Sequence, residues 1–340
     1  VRTSDFDYEL PPEMIAQRPA EPRDTSRLML LDRRSGALSH HGFRDLPKFL
    51  SPGDALVLNE TLVIPARLIG HKIPTGGRVE LLLLRRLSAQ TWEVLVGGKG
   101  VRAKQRIDVS GKTEAEILEE LDGPLRIVHF AAPIFPLLEE IGEMPLPPYI
   151  HTPLRKREEY QSVFARHPGS SAAPTAGLHF TPRLLTQIEN QGVRIIKITL
   201  HVGLDTFAPV REGDPERHTI HSEWCQVPSG AAQAINAAKE SGKRIIAVGT
   251  TATRALETAA HHAIGDHLVE AFEGATDLYI LPGFRFRAVD AMVTNFHLPR
   301  STLLMMISAF AGREFVLHAY DVAMAEGYRF YSFGDAMLIL

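Results

Sequence analysis

Residues 243–260 read KRIIAVGTTATRALETAA. The first seven form a short, β-branched apolar run closed by glycine, the pattern of a buried strand. The remainder carries Ala, Leu, Arg and Glu with no Gly or Pro, a composition that favours helix. A strand that passes into a helix within two or three residues is half of a βαβ unit. The same change of texture recurs on both sides. "TPRLLTQIENQG" (181–192) predicts a helix with Thr181 as N-cap and Pro182 at the first helical position, and it is followed by the strand "VRIIKITLHVG". "SGAAQAINAAKESG" predicts another helix ahead of 243. "VDAMVTNF" (289–296) precedes the helix "STLLMMISAFAG", a further helix is expected near 314–326, and "DAMLIL" closes the chain as a strand. Alternating strands and helices argue for an α/β sheet.

Between these segments and the N-terminus the texture is different. "LVIPARLIG", "RVELLLLRRL", "TWEVLVG", "QRIDVSG" and "LRIVHFA" are short β-rich runs with turn residues between them, as in a small barrel. "TEAEILEEL" fits strand or helix, and "PIFPLLEEIG" reads as a helix. "RLMLL" and "PGDALVLN", upstream, read as strands that return to the α/β sheet, with "FRDLPKFL" a short helix between them. The fold class expected is α/β: a discontinuous α/β sheet domain over 1–60 and 151–340, with an inserted small all-β barrel domain over 61–150.

Composition agrees with a globular chain of about two domains. It has 340 residues, 44% of them hydrophobic, and a net charge of -3. That charge excludes a globally basic nucleic-acid binder but not a local basic patch. Cys225 is the single cysteine, which excludes a disulfide framework and a cysteine metal cluster and suits a cytoplasmic setting. The charged, proline-containing opening "VRTSDFDYELPPEM" does not read as a secretory leader, and no apolar run approaches the roughly 20 residues of a membrane span. His261, His262 and His267 lie on or near one helix, but without an HExxH pattern they read as a solvated face, and no metal is expected. Neither a phosphate-loop nor a strand-linked GxGxxG template is present.

Chemistry concentrates at strand ends. One strand ends in "LHVG" with His201, another in "GTT" with Thr250 and Thr251, a third in "NFHLP" with Asn295 and His297. Ligands of open α/β sheets bind outside the carboxyl ends of strands. "AAPTAGLHF" (172–180) adds small residues and His179 just before a helix. Taken singly, each has an ordinary alternative: a helix cap, a core histidine, a turn histidine. "HTIHSEW" (218–224) brings two histidines and Glu223 close together, with a solvated loop as its plain reading. "GGKGVRAKQR" carries Lys99, Arg102, Lys104 and Arg106 with no acid among them, and "LRKR" adds Arg155. Two basic segments flanking a small β-domain fit a phosphate-backbone footprint.

The segments "DFDYELPPEMIAQRP", "MPLPPYI", "AAPTAGLHFTP", "LHVG", "HSEW", "VGTTATRALE", "TNFHLPRSTLLMMISAFAG" and "YRFYSFGDAMLIL" occur in this order. With them the chain resembles, from residue 4 to 340, the S-adenosylmethionine:tRNA ribosyltransferase-isomerase family of queuosine biosynthesis. The resemblance implies an α/β domain with an inserted β-barrel. It implies transfer and isomerisation of the ribosyl moiety of S-adenosylmethionine onto 7-aminomethyl-7-deazaguanine in the tRNA anticodon loop. The product is epoxyqueuosine, with release of adenine and methionine. S-adenosylmethionine is then the ribosyl-donor substrate, tRNA the partner, and no prosthetic group, metal or membrane is involved.

On that implication His179, His201 and His297 are candidate proton-transfer groups, with His179 favoured on local context. Thr175, Gly177, Phe180, Gly203, Glu223, Thr250, Thr251, Arg254 and Asn295 are candidates for binding the cofactor substrate. Lys99, Arg102, Lys104, Arg106 and Arg155 are candidates for RNA phosphates. The sequence departs from the usual family pattern at Glu60, Leu62, Asp205 and Leu281. Rival readings are a tRNA- or nucleoside-binding protein without chemistry and a conventional methyltransferase. The second lacks its Gly-rich strand end here.

Overall fold

The computed structural model describes residues 1–203, 209–220 and 222–340. Asp205 and His221 lie outside the described residues. The chain divides into two compact units, one of residues 1–61, 148–167 and 173–340, the other of residues 62–147 and 168–172.

The larger unit is built on a nine-stranded sheet. Its centre is four parallel strands in the order Arg194–Leu200, Ala55–Asn59, Ile245–Val248, Ala291–Asn295. The last three are buried along their whole length, which is why they read as continuous apolar runs rather than alternating ones. Glu223–Val227 and Phe272–Thr276 extend one side antiparallel, and on the other Ala336–Ile339, Arg27–Asp32 and Ala37–Gly42 complete the sheet. The N-terminal strand Ala55–Asn59 therefore sits at the centre of the sheet, between strands that come much later in the chain. Asn59, His201, Gly249 and His297 all fall at the same carboxyl edge.

One face of the sheet is covered by helix Pro182–Asn190. Thr181 caps it, its hydroxyl accepting from the Leu184 N–H at 3.2 Å, and Leu184 and Ile188, one turn apart, enter a core with Leu56, Leu58, Val248, Val293, Phe43 and Phe180. Helix Thr250–His262 packs against the strands Arg194–Leu200 and Ile245–Val248 and is buried from Thr250 to Ala260. Within it Glu257 accepts the N–H groups of Arg287, Ala288 and Val289 at 2.9–3.1 Å. That carboxylate fixes the loop that leads into Ala291–Asn295. Helix Thr302–Ala311 is buried as the sequence implies, and no single helix among the described residues is long and apolar enough to cross a membrane.

The smaller unit is a closed antiparallel barrel of six strands: Leu125–Phe130, Thr91–Gly97, Arg78–Arg86, Arg67–Ile73, Arg106–Val109 and Thr113–Glu120. Every second residue points inward: Val79, Leu81 and Leu83, then Trp92, Val94 and Val96, then Ala115 and Ile117. This resolves the ambiguity at 113–121. Thr113, Ala115 and Ile117 alternate with glutamates, so the segment is a strand. Two other readings shift. "FRDLPKFL" is a 3-10 helix, Phe43–Phe49, with Pro47 inside it, and the α-helical part of "PIFPLLEEIG" shrinks to Leu138–Ile141.

Candidate active site

A hollow opens at the carboxyl edge of the parallel strands. Its wall is made by Ala173, Pro174, Thr175 and Ala176, by the helix start Gly249–Thr250–Thr251, by Thr294, Asn295 and His297, and by Val202 and Leu303. The hollow measures about 320 Å³ with its mouth included. Most of that is open space at the mouth, so the enclosed part is far smaller than the roughly 300 Å³ at which small-molecule sites begin, and no folded RNA enters it.

The local sequence explains this wall. Gly249 holds φ at +91°, a conformation that side chains rarely adopt, and turns the strand sharply into the helix. Thr250 and Thr251 then occupy the first turn, where backbone N–H groups lack intrahelical partners. Asn59, which sequence reasoning passed over, holds the neighbouring strand ends together. Its amide donates to the Leu200 carbonyl (2.9 Å) and the Thr251 hydroxyl (3.2 Å), and its oxygen accepts from the Leu200 and Thr61 N–H groups. A polar residue ending an otherwise apolar strand was the available signal.

The three candidate histidines do not converge on one hollow. His297 lines it, with Nε2 bonded to the Thr294 hydroxyl at 2.7 Å. Its backbone is held on both sides, the N–H donating to the Tyr320 oxygen at 2.7 Å and the carbonyl accepting from the Tyr8 hydroxyl. His179 borders a second, smaller hollow of about 210 Å³ with Arg23, Ser26 and Ser332. It stacks on Phe43 at 4.9 Å, and its ring nitrogens contact Ser26 (2.7 Å) and Asn295 (3.1 Å). His201 lines neither hollow. It stacks on Trp224 and bonds the Thr61 hydroxyl at 2.8 Å.

Burial keeps all three rings neutral. It holds His297 down to about 3, and His179 to about 3 with help from the positive Arg329 and Arg23. His201 is held to about 4 by burial and by His167. An unfolded imidazole titrates near 6.5, so below that pH the unfolded chain takes up protons that the folded one refuses. Their contribution to stability is complete above about 6.5 and falls as the pH drops toward 3–4, by about 1.4 kcal/mol per pH unit for each ring. The urea midpoint at pH 5 is accordingly lower than at pH 7.5. A midpoint that stays constant over that interval contradicts neutral burial.

The other predicted residues divide. Thr175, Thr250, Thr251 and Asn295 line the hollow. Phe180 does not: its extended backbone after the turn Thr175–His179 sends the ring into the core, edge-on to Phe43 at 5.0 Å. Gly177 approaches Phe164, whose ring lies 2.9 Å from where its Cβ would stand, and not the hollow. Glu223 is no solvated loop residue. It begins a strand, receives the Gly203 N–H at 2.8 Å and forms a buried ion pair with Arg254. Arg254 also donates to the carbonyls of Leu278 (3.1 Å) and Thr276 (3.4 Å), so its guanidinium is engaged by protein. Glu60 is buried beside His167 at 3.3 Å and Lys197 at 3.9 Å.

Lys99, Arg102, Lys104 and Arg106 are exposed on the barrel unit, with Arg106 paired to Glu114. Arg155 is exposed on the larger unit. Among the described residues no group of three or more His, Cys, Asp or Glu could hold a metal ion. Burial pushes the Cys225 thiol up to about 12.

The fold is an α/β sheet unit with a hollow lined by polar side chains at its strand ends, and a β-barrel inserted in the chain. The family described as queuosine biosynthesis protein matches residues 3–339. A relative from Symbiobacterium thermophilum is 54% identical and one from Moorella thermoacetica 53%, each over 100% of both chains, and both are named S-adenosylmethionine:tRNA ribosyltransferase-isomerase. A crystal structure of an S-adenosylmethionine tRNA ribosyltransferase from Thermotoga maritima is 40% identical, covers 99% of this chain and 100% of its own, and superposes with a TM-score of 0.58. The chain belongs to the queuosine biosynthesis protein family.

Proposed function

We propose that this enzyme transfers and isomerises the ribosyl moiety of S-adenosylmethionine onto the aminomethyl group of 7-aminomethyl-7-deazaguanine in a tRNA anticodon loop. Adenine and methionine are released, and epoxyqueuosine remains in the RNA. The observation that carries this reading is the open hollow at the carboxyl edge, where hydroxyls, one amide and the neutral imidazole of His297 converge. A sulfonium acidifies the hydrogens on C5′, and a neutral ring can accept one where an imidazolium would repel the cation. The start of the helix Thr250–His262 suits the methionyl carboxylate. Glu223 and Arg254 hold Gly203 and that helix in place from behind.

The target base must be splayed out of its loop to reach so small a space. Lys99, Arg102 and Lys104 contact phosphates in this reading, with Arg106 and Arg155 as further cations. Reversing the first three charges weakens tRNA binding and flattens its dependence on salt, by up to about 0.7–0.9 in log–log slope for each phosphate no longer neutralised. An unchanged slope over a salt series removes that assignment. The donor carries its own leaving groups, so no prosthetic group is needed, and a tRNA substrate places the enzyme in the cytoplasm.

Incubating the full chain with S-adenosylmethionine and precursor-bearing tRNA tests the reading. Adenine and methionine should appear in equal amounts with the modified nucleoside. S-adenosylhomocysteine and a methylated RNA would instead indicate a methyltransferase, and binding without release a non-catalytic protein.

A further inference from the structure

Hydrogen-bond direction can be read without choice along one chain of groups beside the hollow. The side-chain amide of Asn295 lies 3.1 Å from the carbonyl oxygen of Tyr331. A carbonyl only accepts, so the NH₂ end of Asn295 faces Tyr331. The same NH₂ group lies 3.1 Å from Nε2 of His179. Nε2 must therefore be the unprotonated, accepting nitrogen, and the ring proton sits on Nδ1, 2.7 Å from the Ser26 oxygen. The other end of the amide, Oδ1, accepts the hydroxyl proton of Thr175 at 3.1 Å. With its proton committed, the Thr175 oxygen has only lone pairs to offer, and Thr175 lines the hollow and is only half-buried.

We propose that Thr175 is a specificity-determining acceptor for a hydrogen-bond donor on the nucleoside part of the substrate, a ribose hydroxyl or the adenine amine. In this scheme His179 is a positioning residue that fixes the polarity of Asn295 and hence of Thr175. The inference rests on the substrate reading above and deepens it. His179 has both ring nitrogens occupied by Ser26 and Asn295, so it acts through Asn295 and not on a reacting atom. A protonated His179 would set an N–H against the Asn295 NH₂ and break the chain. The small residues of "AAPTAGLHF" then have a purpose: they bring the Thr175 oxygen to the wall while the histidine behind it holds the amide.

The test uses steady-state kinetics of the full-length enzyme with precursor tRNA. Thr175→Val, which keeps the shape and loses the acceptor, raises KM for S-adenosylmethionine about tenfold with a smaller effect on kcat, and Thr175→Ser restores it. His179→Gln offers an oxygen to the Asn295 amide and keeps most of kcat and the wild-type acid limb of the kcat–pH profile. His179→Leu raises KM as Thr175→Val does. If both His179 variants instead lose turnover by a hundredfold or more while still binding S-adenosylmethionine, His179 is a catalytic residue and the proposal fails. The 2′-deoxy, 3′-deoxy and deaminated-adenine analogues of S-adenosylmethionine, used as competitive inhibitors, separate the donors: the one lacking the partner of Thr175 binds wild type and Thr175→Val equally. If all three lose affinity in Thr175→Val as much as the parent, or none of the variants shifts KM, the proposal is wrong while the activity stands. A wild-type enzyme that releases neither adenine nor methionine overturns the substrate reading itself, and this inference with it.

Discussion

Replacing His297 with asparagine lowers kcat by about 10²–10⁴-fold and leaves KM for S-adenosylmethionine within a few-fold of wild type. The backbone of residue 297 is tied independently of its side chain, by the Tyr320 oxygen at its N–H and the Tyr8 hydroxyl at its carbonyl. Asparagine also keeps a polar group toward Thr294, the present partner of Nε2. The substitution therefore removes the imidazole from the wall without moving the wall, and the loss falls on proton transfer. Burial holds its pKa down to about 3, so in the proposed reaction the neutral ring is available as an acceptor. The partial reaction makes this directly visible. Wild-type enzyme should exchange the C5′ hydrogens of S-adenosylmethionine with deuterated solvent, and the asparagine variant should not. A variant that turns over as wild type does, or exchanges at the wild-type rate, takes His297 out of the chemistry.

The frame of the fold was legible because its physics is local. A strand buried on both faces must be apolar throughout, and 245–248 and 291–295 are nearly so. A barrel strand alternates in burial, and 92–96 does, while 79–83 departs from the pattern with Leu82 buried beside Leu81 and Leu83. The strands Glu223–Val227 and Phe272–Thr276 escaped notice because they lie toward one edge of the sheet. The first follows a histidine-rich loop, and the second, FEGAT, contains a glycine and little apolar pattern.

At the site, sequence located the strand ends but not the direction in which each side chain leaves them. His179 and Phe180 are adjacent, yet one borders the smaller hollow and the other fills the core, a distinction set by the turn Thr175–His179. The pairing of Glu223 with Arg254, 31 positions apart, joins a strand to a helix, and no local pattern announces it. Asn59, Ser26 and Thr294 were missed for the same reason, since each matters through a partner distant in sequence or, for Thr294, through the geometry of one turn.

That hidden pair carries the largest stability effect. Glu223 and Arg254 are 6% and 4% exposed at their side chains, so neither charge can turn to water if its partner is removed. Arg254→Met leaves a buried carboxylate without its cation, still receiving the Gly203 N–H at 2.8 Å, and also deprives the carbonyls of Leu278 and Thr276 of a donor. The cost expected for breaking a buried pair from one side is about 3–5 kcal/mol. Glu223→Gln, which strands the guanidinium, should cost a comparable amount. Converting both positions, Glu223→Gln with Arg254→Met, removes the uncompensated charge and should recover much of the loss, since the two single effects share one interaction. The consequence reaches the hollow. Gly203 follows Val202 in its wall, and Arg254 stands one turn into the helix that Thr250 and Thr251 begin, so loosening the pair frees both to shift. Urea unfolding of the two single variants and the double one, read beside KM for S-adenosylmethionine, measures the coupling. Single losses below about 1 kcal/mol, the value of an exposed pair, would show that water reaches these charges and that the pair does not brace the site.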